Sequence, residues 1–285
     1  MKILFISRAF PPITGGIENQ NAALAEWLPK HATVRTLANP YGKKFLPFFF
    51  PYVTLRALVT AHQYDVVLFG DGVLSIVGFL LKKFFPQKKI VSVVHGLDLT
   101  YPSPLYQKYW VQKFLPALDG LIAVSVETKN QALQKGLSAE KILVIANGIE
   151  SEVLVEKHTR TELAEVIHQT LSSQSVLFTG GRLIKRKGVA WFIRSVLGSL
   201  PSDTLYVVAG GGPDEQNIKL AIAETGLEER VVLLGRVSPE QYSVLLNTID
   251  IFVQPNISVP GNMGCVQRLL LRYKVRSNDH LGGAL

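Results

Sequence analysis

The chain has 285 residues, enough for two domains at about 150 residues each, and 47% of them are apolar, which excludes global disorder. Lys and Arg number 30 against 22 Asp and Glu, a net charge of +8. The single cysteine, Cys265, excludes a disulfide scaffold and a multi-cysteine zinc site, and fits a reducing compartment. The N-terminus reads as a buried strand with no basic n-region or small-residue cleavage site, so no cleavable signal is expected. The longest apolar stretch, 72–81, falls well short of the roughly 20 residues a membrane span needs.

Short runs rich in Val, Ile and Leu alternate with helical patterns. Strands are expected at 2–6, 33–37, 65–70, 89–94, 120–124 and 141–145, and helices at 16–28, 72–85, 105–117 and 127–136. Residues 43–59, KKFLPFFFPYVTLRALV, allow two readings. A basic start followed by aromatic rings suits an anionic membrane surface; a hydrophobic helix packed in a core, after a Pro-broken loop, suits the same letters. After the Asn147-Gly148 turn the pattern restarts. Helices are expected at 161–172, 189–200, 214–225 and 239–247, with strands at 175–179, 204–210, 230–235 and 250–254. Continuous apolar strands between helices indicate parallel sheets covered on both faces. The reading is α/β, two doubly wound domains in tandem, 1–150 and 151–285. After Pro255 the alternation stops, and 264–285 shows no strand–helix pattern.

Five loops follow expected strands, where such sheets bind ligands. Gly15 and Gly16 open the first helix, where free N–H groups favour an anion; an ordinary strand–helix turn has the same look. His95-Gly96-Leu97-Asp98 ends a strand; its imidazole suits a sugar hydroxyl or a proton transfer, or is satisfied by a backbone carbonyl. Gly181 to Gly188, GRLIKRKG, holds Arg182, Lys185, Arg186 and Lys187, suited to phosphate oxygens. Gly210, Gly211 and Gly212 precede Pro213, and Gly235, Arg236 and Val237 precede Ser238, an expected N-cap with Pro239 at the first helical position. No G-x-G-x-x-G, Walker A or G-x-S-x-G pattern occurs, so a nicotinamide cofactor, a P-loop and a serine hydrolase are not indicated. The basic residues are spread over loops without a recognised nucleic-acid module.

The ordered set G-G-I-E (15–18), H-G-x-D (95–98), N-G-I (147–149), G-R-L-x-x-x-K-G (181–188), G-x-G-P (210–213) and L-G-R-V-S (234–238) resembles glycosyltransferase family 4, over about residues 1–263. The resemblance implies two Rossmann-like domains of the GT-B architecture. The first serves the acceptor and the second a UDP- or GDP-activated hexose, transferred with retention of configuration. It places Gly15, Gly16, Arg182 and Lys187 against the donor diphosphate, His95 near the transferred sugar, and Gly210, Gly211, Gly235, Arg236 and Val237 around the nucleobase and ribose. It implies no metal or other cofactor and a lipid-linked or cell-envelope glycan as acceptor. The expected location is cytoplasmic; on the first reading of 43–59, that segment and the net positive charge add peripheral contact at the membrane's inner face. The family continues with a segment of the type E-G-F-G and a second Glu about eight residues later. Here Gly264-Cys265-Val266-Gln267 stands instead, and no Glu follows Glu240. Read-through in a wrong frame after Met263, or a truncated copy, is expected, with a genuinely short family member as the other reading. The alternative function is an impaired fragment that at most binds a nucleotide sugar.

Overall fold

The apolar runs become strands because each can be buried on both faces at once. The computed structural model describes residues 1–13, 15–148, 157–257 and the backbone of 272–273. The chain divides into two compact units, Met1–Gly148 and Ile149–Leu285. The boundary expected near residue 150 falls at 149–156, outside the described residues, as do Cys265 and the tail at 264–271 and 274–285.

In the first unit the strands are β1 (Lys2–Ser7), β2 (Thr33–Ala38), β3 (Val66–Phe69), β4 (Lys89–Val94), β5 (Gly120–Ala123) and β6 (Ile142–Val144). They form one parallel sheet in the order β2-β1-β3-β4-β5-β6. The helices are α1 (Gly16–Trp27), α2 (Leu46–Thr60), α3 (Ser75–Phe84), α4 (Gly96–Thr100), α5 (Pro104–Tyr106) and α6 (Val126–Gln134). Alternation along each strand sends Leu4, Ile6, Val67, Phe69 and Ile90 to one face, against Phe49, Val53 and Ala57 of α2 and Val77 and Leu81 of α3. Ile3, Phe5, Leu68 and Val93 go to the other face, against Leu24 and Leu28. Each large buried side chain contributes about 1.5–3 kcal/mol.

The expected helix at 105–117 is divided. Gln107–Phe114 is a π-helix in which the Leu115 N–H bonds to the Trp110 carbonyl, and Pro116 then closes a short 3₁₀ turn. The Trp110 ring stacks on Tyr106 at 5.3 Å, and its Nε1 donates to the Val73 carbonyl at 2.8 Å.

The second unit has β7 (Ser175–Gly180), β8 (Thr204–Ala209), β9 (Val231–Gly235), β10 (Ile251–Phe252) and β11 (Arg272–Tyr273), with α7 (Arg160–Ile167), α8 (Val189–Ser195), α9 (Glu215–Thr225) and α10 (Pro239–Thr248). The order is β11-β10-β7-β8-β9, all parallel except β11. The antiparallel β11 is two residues long, too few to carry a hydrophobic period in the sequence. Three helices end earlier or start later than expected: α7 stops at Ile167, where His168 turns left-handed at φ 54°, α8 stops at Ser195, and α9 starts at Glu215. The α10 start is as expected: Ser238 Oγ accepts from the Gln241 N–H, Gln241 Oε1 accepts from the Ser238 N–H, and Pro239 follows.

Both sheets reverse strand order once, between β1 and β3 and between β7 and β10. Ligands bind such sheets at the carboxyl ends beside that reversal. The loops beyond β1 and β7 are the ones that carry Gly15-Gly16 and the basic run.

Candidate functional site

The strand order of the first unit brings distant residues together. Arg8 leaves the end of β1 and Asp71 the end of β3, and Arg8 Nε donates to Asp71 Oδ1 at 2.9 Å. Asp71 is fully buried; Oδ1 also accepts from the Val73 N–H, while Oδ2 has no partner among the described residues. Burial pushes its carboxyl up to about 6, with the attraction of Arg8 pulling down and the nearby Asp98 pushing up again. For Arg8, burial opposes the charge, yet the attraction and hydrogen bond of Asp71 win and its pKa rises. The Tyr106 hydroxyl is also unpartnered and raised, by burial first and then by Asp98 and Asp71.

Asp98 fixes the position of His95. One carboxylate oxygen, Oδ2, accepts from the Gly72 N–H and from the His95 N–H, both at 3.0 Å, tying the loops after β3 and β4 together. The His95 ring places Nε2 3.2 Å from the Gly70 carbonyl, to which an Nε2–H donates. Asn21 of α1, buried, donates to Ser7 Oγ and to the Ala9 carbonyl, which anchors the helix behind Gly15 and Gly16. Gly16 faces open space: a methyl group there would meet nothing within 4 Å. At Gly15 it would meet only the end of the Glu18 side chain. The protein's own packing therefore does not require glycine at Gly16.

The second unit is built differently. Backbone bonds zip its loops: Gly181 N–H to the Ala209 carbonyl, Leu183 N–H to Gly211, Gly210 N–H to Gly235, and Ile257 N–H to Arg186. A methyl group at Gly210 would sit 1.9 Å from the Gly181 oxygen, and at Gly188 1.9 Å from the Pro255 oxygen, both with positive φ. Their glycines are accounted for by neighbouring carbonyls. Gly211 faces Arg236, whose Nε would lie 3.5 Å from such a group. Arg236 and Val237 line a cavity of about 270 Å³ with α7 and β9, apart from the basic run.

On that run, Arg182 is exposed and Lys185, Arg186 and Lys187 form one 3₁₀ turn closed by Gly188 at φ 69°. Among the described residues none of the four cations makes an ion pair or a side-chain hydrogen bond. Burial, and then Arg186, pushes Lys187 below the ordinary lysine range. No group of three or more His, Cys, Asp or Glu among the described residues is placed to hold a metal ion. Gly15 and Gly16 thus stand on the loop after β1 and His95 directly after β4, while Arg182 and Lys187 follow β7, Gly210 and Gly211 follow β8, and Gly235 closes β9 ahead of Arg236 and Val237, the last two lining a cavity apart from the basic run. Sequence reasoning missed Arg8, Asp71 and Tyr106. Their only signal was position, two of them directly after a strand.

Two family models match, Glycosyltransferase Family 4 over residues 14–153 and Glycosyl transferases group 1 over residues 166–266. The chain belongs to the family 4 glycosyltransferases, with the GT-B fold. Among curated relatives, the amylovoran biosynthesis glycosyltransferase AmsK of Erwinia amylovora is 29% identical over 210 residues, 69% of this chain and 48% of that enzyme. A phosphatidylinositol N-acetylglucosaminyltransferase component from Arabidopsis thaliana is 22% identical, over 90% of this chain and 63% of its own. The chain thus spans about half to two thirds of the length of these two relatives. Among solved structures, Anabaena HepE in complex with UDP-glucose matches with a TM-score of 0.66 at 22% identity, over 88% of this chain and 73% of that one.

Proposed function

We propose that this chain is a hexosyltransferase whose second unit binds a UDP- or GDP-sugar and whose first unit receives a lipid-linked or cell-envelope glycan acceptor. The observation that carries the reading is the set of four cations on the loop after β7, beside the strand reversal and without an ion-pair partner among the described residues. Arg182 and Lys187 hold the diphosphate. As the bond from the anomeric carbon to the diphosphate oxygen breaks, negative charge grows on that oxygen and these cations stabilise it. The acceptor hydroxyl oxygen bonds to the anomeric carbon and its proton passes to the departing diphosphate oxygen. His95, its ring held by the Gly70 carbonyl and its backbone by Asp98, sits beside the transferred sugar. The open space at Gly16 lets a phosphate approach the α1 backbone. Gly211, Gly235, Arg236 and Val237 take the nucleoside. Charge neutralisation by side chains makes the binding independent of metal. The relatives' names support the class of reaction: one is a glycosyltransferase of amylovoran biosynthesis, another a phosphatidylinositol N-acetylglucosaminyltransferase.

A second reading has its own observation: no Glu follows Glu240, so the carboxylates that the family resemblance implies for the sugar are not in this sequence. On that reading the chain binds the donor and transfers little. Thermal unfolding with UDP, GDP and UDP-glucose, each in excess EDTA, tests both. A rise in midpoint with any of them supports donor binding; no rise with any overturns it. Release of UDP in the presence of a glycan acceptor then separates the transferase from the binding remnant.

A further inference from the structure

Among the described residues of the second unit, Trp191 is the one aromatic side chain left exposed, at 42%. It shares a face of α8 with Arg194, three residues on. Across from them stand Asp214 and Asn217 at the start of α9, with Lys185 from the loop after β7. Together they line a cavity of about 160 Å³ over the buried Ala190. Its polar wall is already assembled. Arg194 Nε donates to Glu224 Oε2 at 2.6 Å, Arg194 Nη1 to Asn217 Oδ1 at 3.1 Å, and Asn217 Nδ2 to Asp214 Oδ1 at 3.1 Å. Each of these side chains is held by the next, so little rotamer freedom remains to be lost on binding. Asp214 is only 8% exposed. Among the described residues, Asp214 Oδ2, Arg194 Nη2, Trp191 Nε1 and the Lys185 ammonium have no hydrogen-bond partner. One acceptor and three donors thus stand beside an aromatic face.

Charge and size select the ligand. The positive Lys185 and Arg194 are matched by the negative Asp214 and Glu224, so this groove is near neutral although the loop beside it is cationic. An anionic ligand would be set against the Asp214 carboxylate. The volume lies below the roughly 300 Å³ at which pockets begin to enclose whole drug-sized ligands, so it takes one ring rather than a nucleotide. A neutral sugar ring satisfies every group: its C–H face covers the indole, one hydroxyl donates to Asp214 Oδ2, and others accept from Arg194 and Trp191 Nε1. We propose that the groove between α8 and α9 is a carbohydrate-binding subsite that holds one neutral pyranose unit of a glycan, with Trp191 as its platform. It does not depend on the donor-site reading.

The test is calorimetric titration of the full chain with linear tetrasaccharides of glucose, of galactose and of mannose, without nucleotide. Binding of at least one is expected, little changed by salt, with a shift in tryptophan emission that is absent in Trp191→Phe. Trp191→Ala should weaken binding about tenfold or more with the thermal midpoint unchanged, and Trp191→Phe, which keeps a ring, should retain most of it. Asp214→Asn should weaken it about tenfold. His95→Ala and Arg182→Ala should leave it unchanged, which separates this groove from the places proposed for the transferred sugar and the diphosphate. Absence of binding to all three saccharides, or binding that survives Trp191→Ala, overturns the proposal. So does binding lost in His95→Ala or Arg182→Ala instead, or a concentration-dependent dimer, lost in Trp191→Ala, without saccharide binding.

Discussion

The two strand reversals differ in how their charges are arranged. Beside β1 and β3 the charges are paired and enclosed: Arg8 against a fully buried Asp71, with Asp98 and an unpartnered Tyr106 hydroxyl close by. Beside β7 and β10 there are four cations and no carboxylate partner among the described residues. One fold thus builds a near-neutral polar site that suits sugar hydroxyls and a cationic one that suits a diphosphate. The lesson is that the sheet topology supplies the place and the loop side chains supply the chemistry.

Glycines give the largest test of that contrast. Gly188→Ala must push a methyl group into the Pro255 carbonyl from a left-handed backbone, forcing apart the loops after β7 and β10. Chemical denaturation should show a loss of about 3 kcal/mol or more. A loss below about 1 kcal/mol would mean the loops are not zipped as described. Gly16→Ala meets open space, so its stability should hold or rise by up to about 1 kcal/mol. Its effect should appear instead as weaker nucleotide binding.

Next in size is Asp71. Its carboxyl, ordinarily near 3.8, is pushed up to about 6 by burial. The folded chain therefore binds this proton more tightly than the unfolded chain between about pH 4 and pH 6. Stability from this group is highest below that window and falls as pH rises through it. Relative to Asp71→Asn, the wild-type chain should lose on the order of 2–3 kcal/mol from about pH 4 to pH 6.5. A difference that grows with pH would show that attraction to Arg8 outweighs burial.

The smallest effect concerns Lys187, whose pKa is lowered by burial and by Arg186. Diphosphate affinity should start to fall with rising pH earlier than an ordinary lysine allows, by a few fold. Lys187→Arg should flatten that dependence, since a guanidinium stays charged. Equal slopes in the two chains would remove Lys187 from the diphosphate contact.

Much of the fold was legible because strands buried on both faces read as apolar runs; β4 falls on the expected residues. Ser238 and Pro239 were legible because a capping box is local chemistry. The Arg8–Asp71 pair was not, because its members are 63 residues apart and meet only when β1 and β3 become neighbours. Gly210 looks the same whether a ligand or the Gly181 carbonyl demands it; only the structure distinguishes them. Residues 43–59 left two readings open because α2 has one face in the core and another toward solvent.

The central claim is that the loop after β7 holds a nucleoside diphosphate. Calorimetric titration of UDP and GDP into the wild-type chain, Arg182→Ala and Lys187→Ala tests it most directly, with Lys219→Ala, exposed on α9, as control. Loss of one charged contact should weaken binding about ten- to hundredfold in each of the first two variants and leave the control unchanged. Equal affinity in all four chains would contradict the account.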